Sequence, residues 1–239
     1  MADFVQLWVY LSSTPLFGLT ATLTVYVLAQ AAYEGLQRAP WANPVLWSVV
    51  MIGLVLLLTG TPYPTYFAGA QFVHVLLGPA VVALGWPLWQ RRREVSRRGL
   101  ALALAAVTGG GAAAASAALL AWSLGLPSDV VRSLVAKGVT APVAMGITER
   151  LGGIPELAAV FAVLTGVVGA TSGKYLFNLL RIREWPVRGF ALGTAAHGIG
   201  AARAIQVDAD AGAYAGLALG IQVLVASLLL PLFGAWLPR

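Results

Sequence analysis

Gly193-Thr194-Ala195-Ala196-His197-Gly198-Ile199-Gly200-Ala201-Ala202-Arg203 sets a histidine, an arginine and three glycines inside a chain that is otherwise mostly hydrocarbon. Ionisable residues and helix breakers are each costly within a bilayer, so their concentration in one short run needs a reason. Two readings are open for it: a solute site within the membrane, or a polar loop outside it.

Working outward, 59% of the 239 residues are apolar and 10% are charged, far from the usage of a soluble domain. The stretches 4–33, 39–90, 99–128 and 211–238 contain no Asp, Glu, Lys or Arg. Each is long enough to cross a bilayer as a helix, which takes about 20 residues. Alternating strands of the outer-membrane type are absent from the pattern, so the class is an all-α integral membrane protein forming a single polytopic domain. Met1-Ala2-Asp3 is acidic and no cleavage signature follows, so no removable signal peptide is expected. The chain has no cysteine, which removes disulfides and thiolate chemistry. The net charge is +6, but five of the fifteen cations are Arg91, Arg92, Arg93, Arg97 and Arg98, which marks that loop as cytoplasmic. Basic residues placed this way orient a membrane protein, and they give no basic, aromatic face for nucleic acid.

About seven or eight hydrophobic segments follow from the pattern. A short run, 4–11, lies in the interface. Helices are expected at about 16–36 and 45–60, separated by Arg38-Ala39-Pro40-Trp41-Ala42-Asn43-Pro44, and at about 67–89, with Gly78-Pro79 in its middle. The fourth, about 100–124, carries Gly109-Gly110-Gly111 and a run of alanines, a face that allows close helix packing. Ser128 or Asp129 is expected to cap the fifth, about 129–150. This is the least hydrophobic segment, and Lys137-Gly138 and Pro142 break it. The sixth is about 155–180 and is followed by Arg181, Arg183 and Arg188. The seventh, about 187–205, contains the opening stretch. Asp208 and Asp210 fall in a turn before the eighth, about 212–236, a clean span.

Topology tests this order. If both arginine clusters are cytoplasmic, an even number of crossings separates them, yet three segments lie between. The broken fifth segment is therefore expected to be re-entrant, two half-helices that turn back, unless the second cluster is outside. A loose likeness between 77–84 and 140–145 adds the possibility of an inverted repeat, the usual pointer to a transporter site.

The candidate chemistry gathers in the two interrupted segments. A half-helix starting near Pro142 directs its N-terminal amides at whatever fills the gap, which suits an anion. Lys137 and Thr140 would complete a carboxylate-sized pocket, although Lys137 could equally snorkel to an interface. Thr194 and His197 precede Gly198 and Gly200, and Arg203 follows. His197 is the candidate for proton coupling and Arg203 for a bidentate grip on a carboxylate. A buried histidine that only bonds a backbone carbonyl is the plainer alternative. On an unbroken helix His197 and Arg203 would stand about 120° apart, a constraint the glycines could remove. Glu149 is either paired with Arg150 or at a helix end, Asn43 and Tyr63 are caps, interfacial anchors or substrate contacts, and His74 reads as structural. Two histidines and no cysteine give no metal cluster, and no cofactor is expected. Ser172 with His197 as base would make an intramembrane serine hydrolase, but the Gly-x-Ser-x-Gly elbow is absent and an enzyme is not expected.

Four runs, in order, carry a resemblance: 76–84 followed by Pro87-Leu88, Lys137-Gly138-Val139-Thr140-Ala141-Pro142-Val143-Ala144-Met145, Glu149-Arg150-Leu151-Gly152-Gly153-Ile154-Pro155, and the opening stretch. Over nearly its whole length the chain resembles the LrgB/CidB family of antiholin-like membrane proteins, related to the LrgB-like part of the plastidic glycolate/glycerate translocator. The resemblance implies a multi-pass protein of the inner (cytoplasmic) membrane that carries small monocarboxylates of the glycolate, glycerate, pyruvate or lactate class. It also implies a homo-oligomer working with a separate LrgA-like membrane partner, since no LrgA-like segment precedes the chain. The alternative it carries is a holin-like or antiholin-like protein that modulates murein hydrolase export and cell lysis. The sequence departs from the family pattern at Gly138, Ala141, Gly146, Ala196 and Ala201, where the family commonly has serine, threonine or glutamate.

Overall fold

Proline, capping residues and glycine set the helix boundaries of this chain, as seen in a computed structural model that describes residues 15–76, 79, 85–90 and 92–233. The chain divides into two compact units, Met1–Val82 and Ala83–Arg239. In the first, α1 (Pro15–Gly35) packs against α2 (Pro44–Thr59) and α3 (Tyr63–Val75). Asn43 Oδ1 accepts the amides of Val45 and Leu46, at 2.9 and 3.2 Å, and so caps α2. Gly60, in the left-handed region, ends that helix.

The second unit holds α4 (Gly85–Gln90), α5 (Arg92–Ser123), α6 (Ser128–Val135), α7 (Ala141–Leu151), α8 (Pro155–Leu179), α9 (Trp185–Val207) and α10 (Ala209–Phe233). Four helices among the described residues are long and apolar enough to cross a membrane: Leu16–Gly35, Ser96–Ser123, Pro155–Leu179 and Ala209–Leu232. The chain is therefore an all-helical, multi-pass membrane protein; the four long spans among the described residues are fewer than the seven or eight hydrophobic segments expected, which included short and interrupted ones.

Several boundaries differ from the sequence reading. The first arginine cluster is helical from Arg92 onward, because arginine is a good helix former and α5 simply begins there. Pro127, not Ser128 or Asp129, occupies the cap position of α6, and Asp129 Oδ1 instead accepts the amide of its neighbour Val130. The third segment is represented by α3 and α4; the expected interfacial run 4–11 and most of the repeat-like 77–84 lie outside the described residues. Asp210 belongs to α10, whose start Asp208 caps by accepting the amides of Asp210 and Ala211.

The fifth segment is two helices, of 8 and 11 residues, separated at 136–140. The end of α6 meets the chain just beyond the far end of α7: Ser133 Oγ accepts the Ile154 amide at 2.8 Å, and a Cβ on Gly153 would fall on the same hydroxyl and on the Thr148 methyl. The chain thus doubles back through the turn at 136–140.

α9 does the same, although no proline marks the place. Ala196 (φ −123°, ψ 15°) and His197 (φ 40°, ψ −134°) leave helical geometry. Gly200 then sits against the Leu192 carbonyl, a contact that a straight helix puts about 12 Å out of reach. Gly189 and Gly193 lie against the backbone of Ala211 and Ala215, while Ile205 lies against Gly212. The first arm of α9 therefore runs parallel to the start of α10, and the second arm returns antiparallel to it. Only hydrogen fits where Gly189 and Gly193 touch α10, so these glycines let the backbones close, as small residues do where helices pack without a hydrophobic drive. Ala201, Ala204, Ala211, Ala215 and Leu219 form the buried cluster that holds the second arm and α10 together.

Candidate functional site

The two reversals meet tip to tip. Gly138, in the first turn, lies beside the Thr194 carbonyl, since a Cβ there would sit 3.8 Å from that oxygen. Gly198, just past the second turn, faces the Thr140 methyl, at 3.9 Å by the same measure. α5 passes the junction with Gly109 against the Thr194 methyl and Gly110 against the Gln222 carboxamide of α10. α8 closes the remaining side, with Gly166 against the His197 ring and Gly169 against the Ala196 methyl.

His197 is 4% exposed and its Nε2 lies 2.7 Å from the Ala162 carbonyl of α8. A carbonyl oxygen can only accept, so this nitrogen carries the proton and donates. The residue holds a backbone conformation that favours glycine, and a non-glycine residue kept there costs about 1–3 kcal/mol. Burial among Gly166, Ala196 and the Ala162 carbonyl is what fixes it.

Around the tips, three side-chain oxygens are buried without a hydrogen-bonding partner: Thr140 Oγ1, Thr194 Oγ1 and Gln222 Oε1. A buried hydroxyl or amide oxygen left unpaired costs about 1–3 kcal/mol, so three such atoms facing one junction are expensive as structure alone. Lys137 is half-buried in the same turn, and Pro142 stands in the first turn of α7, whose N-terminus opens toward the junction. A cavity of about 250 Å³ borders it, lined by Gly110, Gly138 and Gln222 among mostly apolar side chains.

Of the residues singled out from the sequence, Lys137, Thr140, Pro142, Thr194, His197, Gly198 and Gly200 come together here. Arg203 does not face this junction. Once α9 folds back, Arg203 lies beside Leu192 and lines a different cavity, of about 160 Å³, with Lys174 and Arg188. Glu149 and Arg150 are exposed at the far end of α7, and Asn43 is the cap of α2 in the other unit. Ser172 is exposed, and its hydroxyl donates to the Val168 carbonyl of its own helix. Gln222 was missed, whereas Gly109 and Gly110, expected as a face for close packing, do pack closely. A lone carboxamide in an otherwise charge-free, polar-poor span was the available signal for Gln222. Among the described residues no group of three His, Cys, Asp or Glu side chains could hold a metal ion.

A multi-pass helical membrane protein with two opposed helical hairpins, and polar side chains at their tips, is the class these features define. The profile of the LrgB-like family matches residues 22–236, and the chain belongs to that family. It is similar to YwbG of Bacillus subtilis (strain 168), 32% identical over 191 residues, which is 80% of this chain and 84% of the relative. It is also similar to the holin-like protein CidB of Staphylococcus aureus (strain N315), 26% identical over 231 residues and 97% of each chain. The Bacillus subtilis (strain 168) protein YxaC is 30% identical over 190 residues, 77% of this chain and 83% of the relative. No solved structure matches the chain significantly.

Proposed function

We propose that this chain is a secondary transporter of small monocarboxylates, in the glycolate, glycerate, pyruvate or lactate range, residing in the inner membrane. The observation that carries the reading is the tip-to-tip meeting of two helical hairpins around Thr140, Thr194 and His197. Both half-helices that restart at the tips, α7 from Ala141 and the second arm of α9 from Gly198, aim unsatisfied N-terminal amides at the junction. The junction suits a small anion, which the hydroxyls of Thr140 and Thr194 would orient. His197, bonded to Ala162 through Nε2–H, would be the residue that couples transport to protons.

The same hairpins satisfy the charge rule. With Arg92, Arg93, Arg97 and Arg98 cytoplasmic, α5 crosses outward, 128–154 enters and returns on the outer side, and α8 crosses back. Arg181 and Arg183 then lie inside. Irregular backbone at membrane depth is tolerated where protein buries it or where it lines a cavity, which describes both tips.

The names of the Staphylococcus relatives favour a second reading, and they speak for it more directly than any feature speaks for a particular solute. In it the chain is a holin-like or antiholin-like protein that assembles into oligomers with an LrgA-type partner and perturbs the membrane. The two readings separate in proteoliposomes. Saturable uptake of labelled glycolate, glycerate or pyruvate across an imposed pH gradient, without leakage of an entrapped dye, supports the transporter. Dye leakage with no saturable uptake, with or without an LrgA-like partner, overturns it in favour of the holin-like reading.

A further inference from the structure

The fold of α9 builds a second cationic place that the junction does not use. Lys174 near the end of α8, Arg188 on the first arm of α9 and Arg203 on the second arm line one cavity of about 160 Å³, and no acidic residue shares its lining. The three cations are far apart in sequence. They meet only because α9 doubles back and brings its two arms beside α8.

Arg188 is held in place. Its Nε donates to the Ile182 carbonyl and Nη2 to Asn178 Oδ1, both at 2.7 Å, and its guanidinium lies 5.2 Å from the Trp185 ring centre and 5.8 Å from that of Phe177. Two of the five N–H donors of an arginine are thereby used, and the rest remain in a fixed plane. A pre-set guanidinium with two further cations suits a tetrahedral oxyanion bearing several acceptor oxygens. Leu192, Phe177 and Ala204 supply an apolar wall on the same cavity, which suits the hydrocarbon attached to such a group. Nearby acids are Glu184 before α9 and Asp208 and Asp210 at the start of α10; Asp208 is engaged in capping α10.

We propose that this cavity binds a phosphate group, carried either by the headgroup of an anionic phospholipid or by a soluble phosphate. The lipid source rests on the membrane placement given above, in which the turn between α8 and α9 lies at the cytoplasmic headgroup level, where Trp185 would serve as an interfacial anchor. Phosphate binding itself does not depend on transport.

The test uses the full chain in mild detergent. Retention of phosphatidylglycerol against phosphatidylcholine is followed by native mass spectrometry, and thermal stability is followed with short-chain phosphatidylglycerol, short-chain phosphatidylcholine or inorganic phosphate added. Selective retention of phosphatidylglycerol, reduced at least fivefold in Lys174→Gln and in Arg203→Gln, supports the site and assigns it to lipid. Stabilisation by millimolar inorganic phosphate that both variants lose, without lipid preference, supports the site and assigns it to a soluble phosphate. Equal retention of the two lipids together with no response to phosphate overturns the proposal, as does a preference that Lys174→Gln leaves unchanged. Arg203→Gln also loses whatever Arg203 contacts within the protein, so the exposed Lys174 is the deciding variant. Because the readout is binding, failure here leaves the flux measurement unaffected, and failure of flux leaves this result standing.

Discussion

The two hairpins reach the same junction by different chemistry. In 128–154 the reversal is written in residues that disfavour a continuous helix: Gly138 in the turn and Pro142 at the restart. In α9 it falls on Ala196 and His197, neither a helix breaker, and the chain turns because His197 is held at φ 40°. The first reversal is thus a local property of the sequence, whereas the second is imposed by packing on α8 and α10. Hairpin α9 should therefore be sensitive to changes in the elements it leans on, and 128–151 should tolerate more.

The harshest way to break that contrast is at the glycines. Gly193→Val would drive a side chain into the backbone of Ala215, which cannot yield as a flexible side chain could. Overpacking of this kind costs about 1–3 kcal/mol and more where backbone must move. We expect Gly193→Val to lose the monodisperse peak in size-exclusion chromatography or to lower Tm steeply. Gly146→Ala, in α7, has open space around it and gains helix propensity, so it should leave Tm unchanged or raise it slightly. Equal damage from the two substitutions would show that both hairpins are equally packing-dependent.

A gentler probe separates the strain at His197 from its hydrogen bond. Both His197→Ala and His197→Gly delete the imidazole donated to Ala162, which contributes about 1 kcal/mol as a hydrogen bond and more through the space left behind. Only glycine is at ease at φ 40°. The glycine variant should therefore be the more stable of the two by about 1 kcal/mol, read as a difference in thermal or denaturant midpoint, and both should lose coupled uptake. If alanine is as stable as glycine, the backbone there is relaxed and the turn in α9 needs another cause.

How much of this was legible in the sequence follows the same division. The break in the fifth segment could be read from Pro142 and Gly138, because a missing N–H and a missing Cβ act locally. The polar stretch around His197 was conspicuous, and the glycines suggested irregularity, but the reversal itself was not visible. Nothing between Trp185 and Val207 says that Leu192 and Gly200 touch; Ala211, Ala215 and Gly166 decide that from other helices. The same blindness grouped Arg203 with His197, since its helical angle from His197 has no meaning once the helix folds back and Arg203 lines another cavity. Gln222 was passed over because one amide barely alters the hydropathy of α10. The parity of crossings asked for a re-entrant fifth segment on charge alone; that segment is two helices, and their re-entry into the membrane is part of the function proposed above.

The smallest expected effect is the most informative about function. Thr194 and Thr148 are alike in composition and setting: each is buried, and each has a hydroxyl without a hydrogen-bonding partner. They differ in place, for Thr194 stands at the tip of α9 against Gly138, whereas Thr148 lies toward the far end of α7 against Gly153. Valine keeps the shape of threonine and removes the unpaired oxygen, so either substitution should leave stability unchanged or raise it by up to about 1 kcal/mol. Stability alone cannot distinguish them. If the junction receives the solute, Thr194→Val loses about tenfold or more in uptake, because a pocket built to hydrogen-bond an anion forfeits a donor, while Thr148→Val keeps normal uptake. Equal uptake in the two variants would reduce the hydroxyl of Thr194 to the same passive status as that of Thr148 and remove the main reason for placing a solute between the hairpins.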